Sequence, residues 1–118
     1  MRKILAFLLA ACLLVSASPA LALNNDDAAL ADNWYEIFVY SFADGNGDRI
    51  GDFVGLKEKL PYLQSLHVDG IWLMPIHPSP SYHKYDVMDY ESIDPAYGTV
   101  EDFESLVSAC AERGIRVM

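Results

Sequence analysis

The spacing of apolar residues switches four times along this chain between the period of a strand and that of a helix, and that alternation restricts the fold more than any other feature. Trp34-Tyr35-Glu36-Ile37-Phe38-Val39-Tyr40-Ser41-Phe42 is dense in β-branched and aromatic residues and reads as a buried strand. From Phe53 to Leu66 apolar residues recur at 53, 56, 60, 63 and 66, the spacing of one helix face. Pro61 lies inside that stretch and predicts a kink or a restart, because proline donates no backbone N–H and crowds the preceding turn. Asp69 to Ile76, centred on Ile71-Trp72-Leu73-Met74, returns to strand character.

The next helix is marked at both ends. Thr99 can accept from its first turn, and Glu101 and Asp102 suit the positive end of the helix dipole. Phe103, Leu106, Val107 and Cys110 form its apolar face, and Arg113-Gly114 ends it. Ile115-Arg116-Val117-Met118 opens a third strand. Strand, helix, strand, helix, strand predicts an α/β fold of right-handed βαβ units on a parallel sheet. Such a sheet needs cover on both faces, which two helices and an unfinished third strand do not supply, so the sequence reads as truncated.

The N-terminus has another character. Arg2 and Lys3 precede an apolar run of 14 residues, Ile4 to Ala17; Pro19 breaks it, and Ala20-Leu21-Ala22 offers small residues for cleavage. Residues 1–22 therefore read as a secretory signal peptide, and the run is too short for a membrane span, which takes about 20 residues. Leu9-Ala10-Ala11-Cys12 gives a competing reading, lipid anchoring at Cys12. Residues 23–33 form a polar linker, and residues 34–118 the folded part.

Loss of Arg2 and Lys3 takes the formal charge from −9 to −11, a balance that disfavours nucleic acid, whose phosphates need a basic face. Cys110 is then the one cysteine left, unable to form an internal disulfide and expected as a buried structural thiol.

Both unusual loops follow predicted strands, at the end of a parallel sheet where α/β folds carry their sites. The first holds oxygen-bearing side chains at alternate positions, Asp44, Asn46 and Asp48, and again at Asp52, with the Ile50 carbonyl between. Hard cations such as Ca²⁺ take such oxygen sets. It is not an EF-hand: Arg49 replaces the glycine of the sharp turn, and Gly55 stands where the closing glutamate would be. Two carboxylates about 5 Å apart repel by roughly 3 kcal/mol at an effective dielectric of about 20, so a loop converging several needs a cation or splays. From spacing alone a cation loop and a solvated acidic turn stand equal.

The second loop, His77 to Gly98, is 22 residues long, a length usually tied to function. It mixes aromatic rings, carboxylates and imidazoles, a combination suited to sugars, though ordinary packing of Tyr82, Tyr85 and Tyr90 and an internally satisfied His83 explain it as well. There is no phosphate-binding loop, no Cys/His metal cluster and no nucleophilic serine or cysteine in a recognisable setting.

The ordered segments Trp34-Tyr35-Glu36-Ile37-Phe38, Asp44–Asp52, Gly55-Leu56-Lys57-Glu58-Lys59-Leu60, Gly70-Ile71-Trp72-Leu73-Met74-Pro75-Ile76, Tyr85-Asp86-Val87-Met88-Asp89-Tyr90, Tyr97-Gly98-Thr99 and Arg113-Gly114-Ile115 resemble the α-amylase family of glycoside hydrolases, glycoside hydrolase family 13, from about Asn33 onward. The resemblance implies a partial (β/α)8 TIM barrel, its opening β-α-β-α-β portion only. It implies a structural Ca²⁺ held by Asp44, Asn46, Asp48, Ile50 and Asp52. It implies that Tyr85 stacks on the sugar at the cleavage subsite, that Asp86 hydrogen-bonds that sugar's hydroxyls, and that His83 lines the same subsite. Two positions depart from the family: His67 and Arg49 stand where it usually has glycine.

The family's nucleophile, acid/base and third carboxylate follow later strands, so no acid in this chain is assigned to the catalytic pair, whose members lie about 5–5.5 Å apart in retaining enzymes. This stretch alone is expected to turn over no glycoside and to fold poorly, its strand edges uncovered. The implied activity is that of an exported hydrolase cleaving α-1,4-glucosidic bonds of starch-like α-glucans or malto-oligosaccharides with retention. Within the family the alternative is an α-1,6-glucosidase or transglycosylase; outside it stand a non-catalytic barrel relative and a calcium-binding fragment without activity.

Overall fold

The computed structural model describes residues 32–118. The signal-like segment 1–22, Cys12 and most of the linker lie outside the described residues. Three strands, β1 (Trp34–Ile37), β2 (Gly70–Leu73) and β3 (Arg116–Val117), form one sheet in the order β1-β2-β3, both pairings parallel. Trp34 stands opposite Gly70 and Ile37 opposite Leu73; Gly70 and Ile71 stand opposite Arg116 and Val117. A parallel sheet with a helical crossover after each of its first two strands is the expected arrangement.

The strands are shorter than the apolar runs suggest. β1 stops at Ile37, and Val39–Phe42 makes one helical turn, α1. Met74 N donates to the Ile37 carbonyl (2.9 Å), and the pairing of the two strands goes no further. The backbone beyond Ile37 bonds instead to the returning loop, Gly51 N to the Tyr40 carbonyl (2.7 Å) and Asp52 N to the Ala43 carbonyl (2.9 Å). Likewise β2 covers only Gly70–Leu73 of the expected Asp69–Ile76.

The first crossover splits as its proline requires. α2 (Phe53–Glu58) and α3 (Leu60–Ser65) meet at Lys59, with Pro61 in the first turn of α3, where its missing N–H is no loss. The chain leaves α3 through His67 at φ +55°, a left-handed conformation that glycine adopts more readily. Asn33 stabilises this exit: its side-chain amide donates to the carbonyls of Leu66 (3.1 Å) and His67 (3.0 Å), groups that a helix end leaves unpaired.

α4 (Val100–Ala111) opens with a full capping box, Asp102 N donating to Thr99 Oγ1 (3.2 Å) and Thr99 N to Asp102 Oδ2 (2.9 Å). It closes at Gly114, φ +69°, with Arg113 Nη1 donating to the Ala109 carbonyl (2.8 Å). One core unites Ile37, Phe53, Leu56, Leu60, Leu63, Ile71, Tyr97, Leu106 and Cys110, all but closed to solvent. Burial pushes the Cys110 thiol up to about 11, Arg113 opposing, as befits a packing group. On the sheet's other face the register partners Glu36 and Trp72 are exposed.

Candidate functional site

The first loop is built by its own side chains. Asp44 Oδ1 accepts from the N–H groups of Asn46 (3.1 Å) and Gly47 (2.6 Å), and its Oδ2 from Arg49 (2.7 Å). Asn46 Oδ1 accepts from Asp48 N (2.9 Å), and Asp48 Oδ1 from Ile50 N (2.7 Å). Each short polar side chain thus caps the backbone two or more residues on, the habit that makes Asp and Asn turn residues. The N–H groups of Gly47 and Arg49 hold the Asp44 carboxyl below the usual carboxylate range. Arg49 sits at φ +75°, so the departure from glycine noted above carries backbone strain.

Asp52 differs from the other acids of the loop. It is 3% exposed, and its two oxygens accept from Gly55 N (2.6 Å), as the N-cap of α2, and from Gly45 N (3.0 Å). The loop lies so close to its surroundings that a Cβ at Gly51 would stand 1.9 Å from the Val39 carbonyl, and one at Gly55 2.2 Å from that of Ala43. The all-oxygen set of Asp44, Asn46, Asp48 and the Ile50 carbonyl suits a hard cation. Asp44, Asn46 and Asp48 lie on the exposed side and Asp52 on the buried side. Among the described residues no three carboxylate, imidazole or thiol groups converge as a ready metal cluster.

The second loop leaves the C-terminal end of β2 and runs without helix or strand to Thr99. Asp86 Oδ1 accepts from Ser79 Oγ (2.7 Å) and from Ser81 Oγ, and His83 Nδ1 lies 4.0 Å from the same oxygen. The two hydroxyls, Ser81 first, hold the Asp86 carboxyl below the usual range, so it stays ionised into acid. Tyr85 is exposed, its ring centroid 6.0 Å from that of His83. His83 Nδ1 accepts from Tyr85 N (3.2 Å), which in the neutral ring puts the proton on Nε2. His83, Tyr85 and Asp86, expected together from the sequence, therefore share one exposed turn.

Sequence reasoning singled out neither Ser79 and Ser81 nor Lys84. Serines are common in loops, and nothing in their spacing says which carboxylate they face. A lysine in a polar loop reads as a solvated charge, yet Lys84 is buried. Further along, Asp89 accepts from Glu91 N (2.9 Å) and from Ser92 Oγ, and His77 Nδ1–H donates to the Ser92 carbonyl (2.8 Å).

The sequence profile described as alpha amylase, catalytic domain, matches residues 36–118. The chain belongs to the alpha-amylase family of glycoside hydrolases. Alpha-amylase 3 of Dictyoglomus thermophilum is 54% identical over 85 residues, which span 72% of this chain and 17% of that protein. A 4-alpha-glucanotransferase of Thermotoga neapolitana is 48% identical over 71% of this chain and 19% of its own length. The trehalose-6-phosphate hydrolase of Bacillus subtilis is 49% identical over 71% of the chain and 15% of its own. Among solved structures, the alpha-amylase from H. orenii superposes with a TM-score of 0.71 at 55% identity, over 73% of this chain and 19% of that one. The chain thus spans less than a fifth of the length of these family members, and their names cover more than one activity. No helix among the described residues is long and apolar enough to cross a membrane.

Proposed function

We propose that this stretch belongs to an exported enzyme that cleaves α-1,4-glucosidic bonds in starch-like α-glucans and malto-oligosaccharides with retention of configuration, on a complete (β/α)8 barrel. The observation that carries the reading is the turn after β2. An ionised Asp86, gripped by Ser79 and Ser81, stands one residue from an exposed Tyr85 ring, with His83 beside both. A ring face packs against the apolar face of a pyranose, and a carboxylate accepts from sugar hydroxyls. The position, beyond the C-terminal end of a parallel strand, is the rim on which barrel enzymes carry their chemistry. The residues here bind and orient one sugar; the attacking and protonating carboxylates are supplied from outside this stretch.

Ca²⁺ is proposed as a structural ion on the first loop, with Asp44, Asn46, Asp48 and the Ile50 carbonyl as ligands. Asp52 joins them through the lone pairs that its two backbone partners leave free. When bound, the ion screens carboxylate repulsion and stiffens the loop; it takes no part in bond cleavage.

A second reading, transfer of the glucosyl unit to another sugar, draws on the glucanotransferases at 48% and 45% identity. One experiment tests both. The full-length enzyme is incubated with maltoheptaose, and its first products are followed by proton NMR. Release of shorter α-anomers is expected; β-anomers would refute retention, and products longer than the substrate would favour transfer.

A further inference from the structure

Lys84 lies between His83 and Tyr85, in the middle of the exposed turn, yet it is 9% exposed itself. Its ammonium is 2.5 Å from Asp94 Oδ2 and 5.6 Å from the centroid of the Tyr97 ring. Both partners are tied by hydrogen bonds to the segment after β2 and to the start of α2. Asp94 N donates to the Ile76 carbonyl (2.9 Å), Asp94 Oδ1 accepts from Ala96 N (3.0 Å), and Tyr97 N donates to the Asp94 carbonyl (2.8 Å). The Tyr97 ring is 1% exposed and meets Phe53 edge-on, and its carbonyl accepts from Phe53 N (3.0 Å) at the start of α2.

The backbone at Lys84 is left-handed, φ +65°. Glycine would meet that demand without steric conflict, whereas lysine meets it against its own Cβ. A buried ion pair adds little net stability over apolar packing, and its best-attested use is to fix one conformation among several.

We propose that Lys84 is a positioning residue: its ion pair with Asp94 ties the His83–Asp86 turn to the Tyr97 core and sets where the Tyr85 ring and the Asp86 carboxylate meet the sugar. Lys84 itself, reaching inward, touches no substrate. The inference rests on the reading of Tyr85 and Asp86 as the sugar-binding pair.

The test uses the full-length enzyme with Lys84→Gly, Lys84→Arg and Asp94→Asn. Asp94→Asn leaves the backbone of the turn untouched and keeps an acceptor for Ala96 N. Displacement of a binding group by about 1 Å is enough to lose up to about 100-fold, so Lys84→Gly and Asp94→Asn should each lower kcat/KM on maltoheptaose by about 10- to 100-fold. Lys84→Arg, which keeps the charge, should recover part of that loss. In a Tyr85→Ala/Asp86→Asn background the same changes should have less than about twofold further effect, because groups that act through one another are non-additive. Amide exchange over residues 82–90 should accelerate in Asp94→Asn while α4 stays protected. Wild-type kcat/KM in Asp94→Asn, or a full loss repeated in the Tyr85→Ala/Asp86→Asn background, would overturn the positioning role. If the wild-type enzyme cleaves no α-glucan, the functional reading fails separately, and exchange still decides the anchor: unchanged rates over residues 82–90 overturn it, faster rates support it.

Discussion

The two loops at the C-terminal ends of β1 and β2 are built on opposite plans. The loop from Asp44 to Asp52 is held mainly by short polar side chains bonded to backbone two to seven residues away, together with backbone bonds from Gly51 and Asp52 to Tyr40 and Ala43. The turn from Ser79 to Asp86 has local bonds as well, but its anchor is Lys84, ten residues from its partner Asp94 and in contact with a core ring. A loop of the first kind has its shape in its own sequence. A loop of the second kind has its shape only when the core is in place.

The comparison predicts different failures on each side, and the largest belongs to the second loop. Asp86→Asn in the full-length enzyme keeps shape and removes charge. It should lower kcat/KM on malto-oligosaccharides by about 10- to 150-fold, the range expected when a hydrogen bond to a charged group is lost. The loss should fall mainly in kcat if the contact tightens as the ring distorts, while Tyr85→Ala, which removes stacking, should raise KM. Steady-state kinetics that leave Asp86→Asn within about twofold of wild type would turn Asp86 into a loop-stabilising acid.

The first loop should fail in stability and leave turnover alone. A ligand at 100 times its dissociation constant stabilises by about 2.7 kcal/mol, so chelation should lower the melting temperature of the calcium-loaded enzyme by several degrees. Asp48→Ala should abolish that sensitivity. Melting indifferent to both chelator and added calcium would make this loop a solvated turn, closed by its own hydrogen bonds.

The smallest effect sharpens the picture of the second loop. Hydrogen bonds from Ser81 and Ser79 favour the ionised form of Asp86 and lower its pKa. Ser79→Ala removes one of them, so the Asp86 pKa should rise toward the ordinary value and protonation should begin at higher pH. Carboxyl-carbon NMR titration of Asp86 measures the shift directly; an unmoved or lowered pKa would remove Ser79 from the site.

Much of this molecule is legible in the order of its residues because the responsible interactions are short in sequence. Helical spacing from Phe53, the interruption at Pro61, the Thr99 cap and the Gly114 stop each act within a turn or two, and each appears where expected. The strand limits did not follow from composition. Val39–Phe42 is as β-prone as the residues before it, yet it turns helical and its Tyr40 carbonyl accepts from Gly51 of the returning loop. The grouping of His83, Tyr85 and Asp86 on one turn was expected by resemblance to a family, whereas the serines that hold Asp86 and the lysine that anchors the turn were not. What the sequence determined alone is the alternation of elements and their caps, set by local backbone chemistry. Tertiary structure decided where each strand ends and that Lys84 is buried against Asp94 and Tyr97. Those depend on which groups from distant parts of the chain share one low-dielectric space, and no local pattern encodes that.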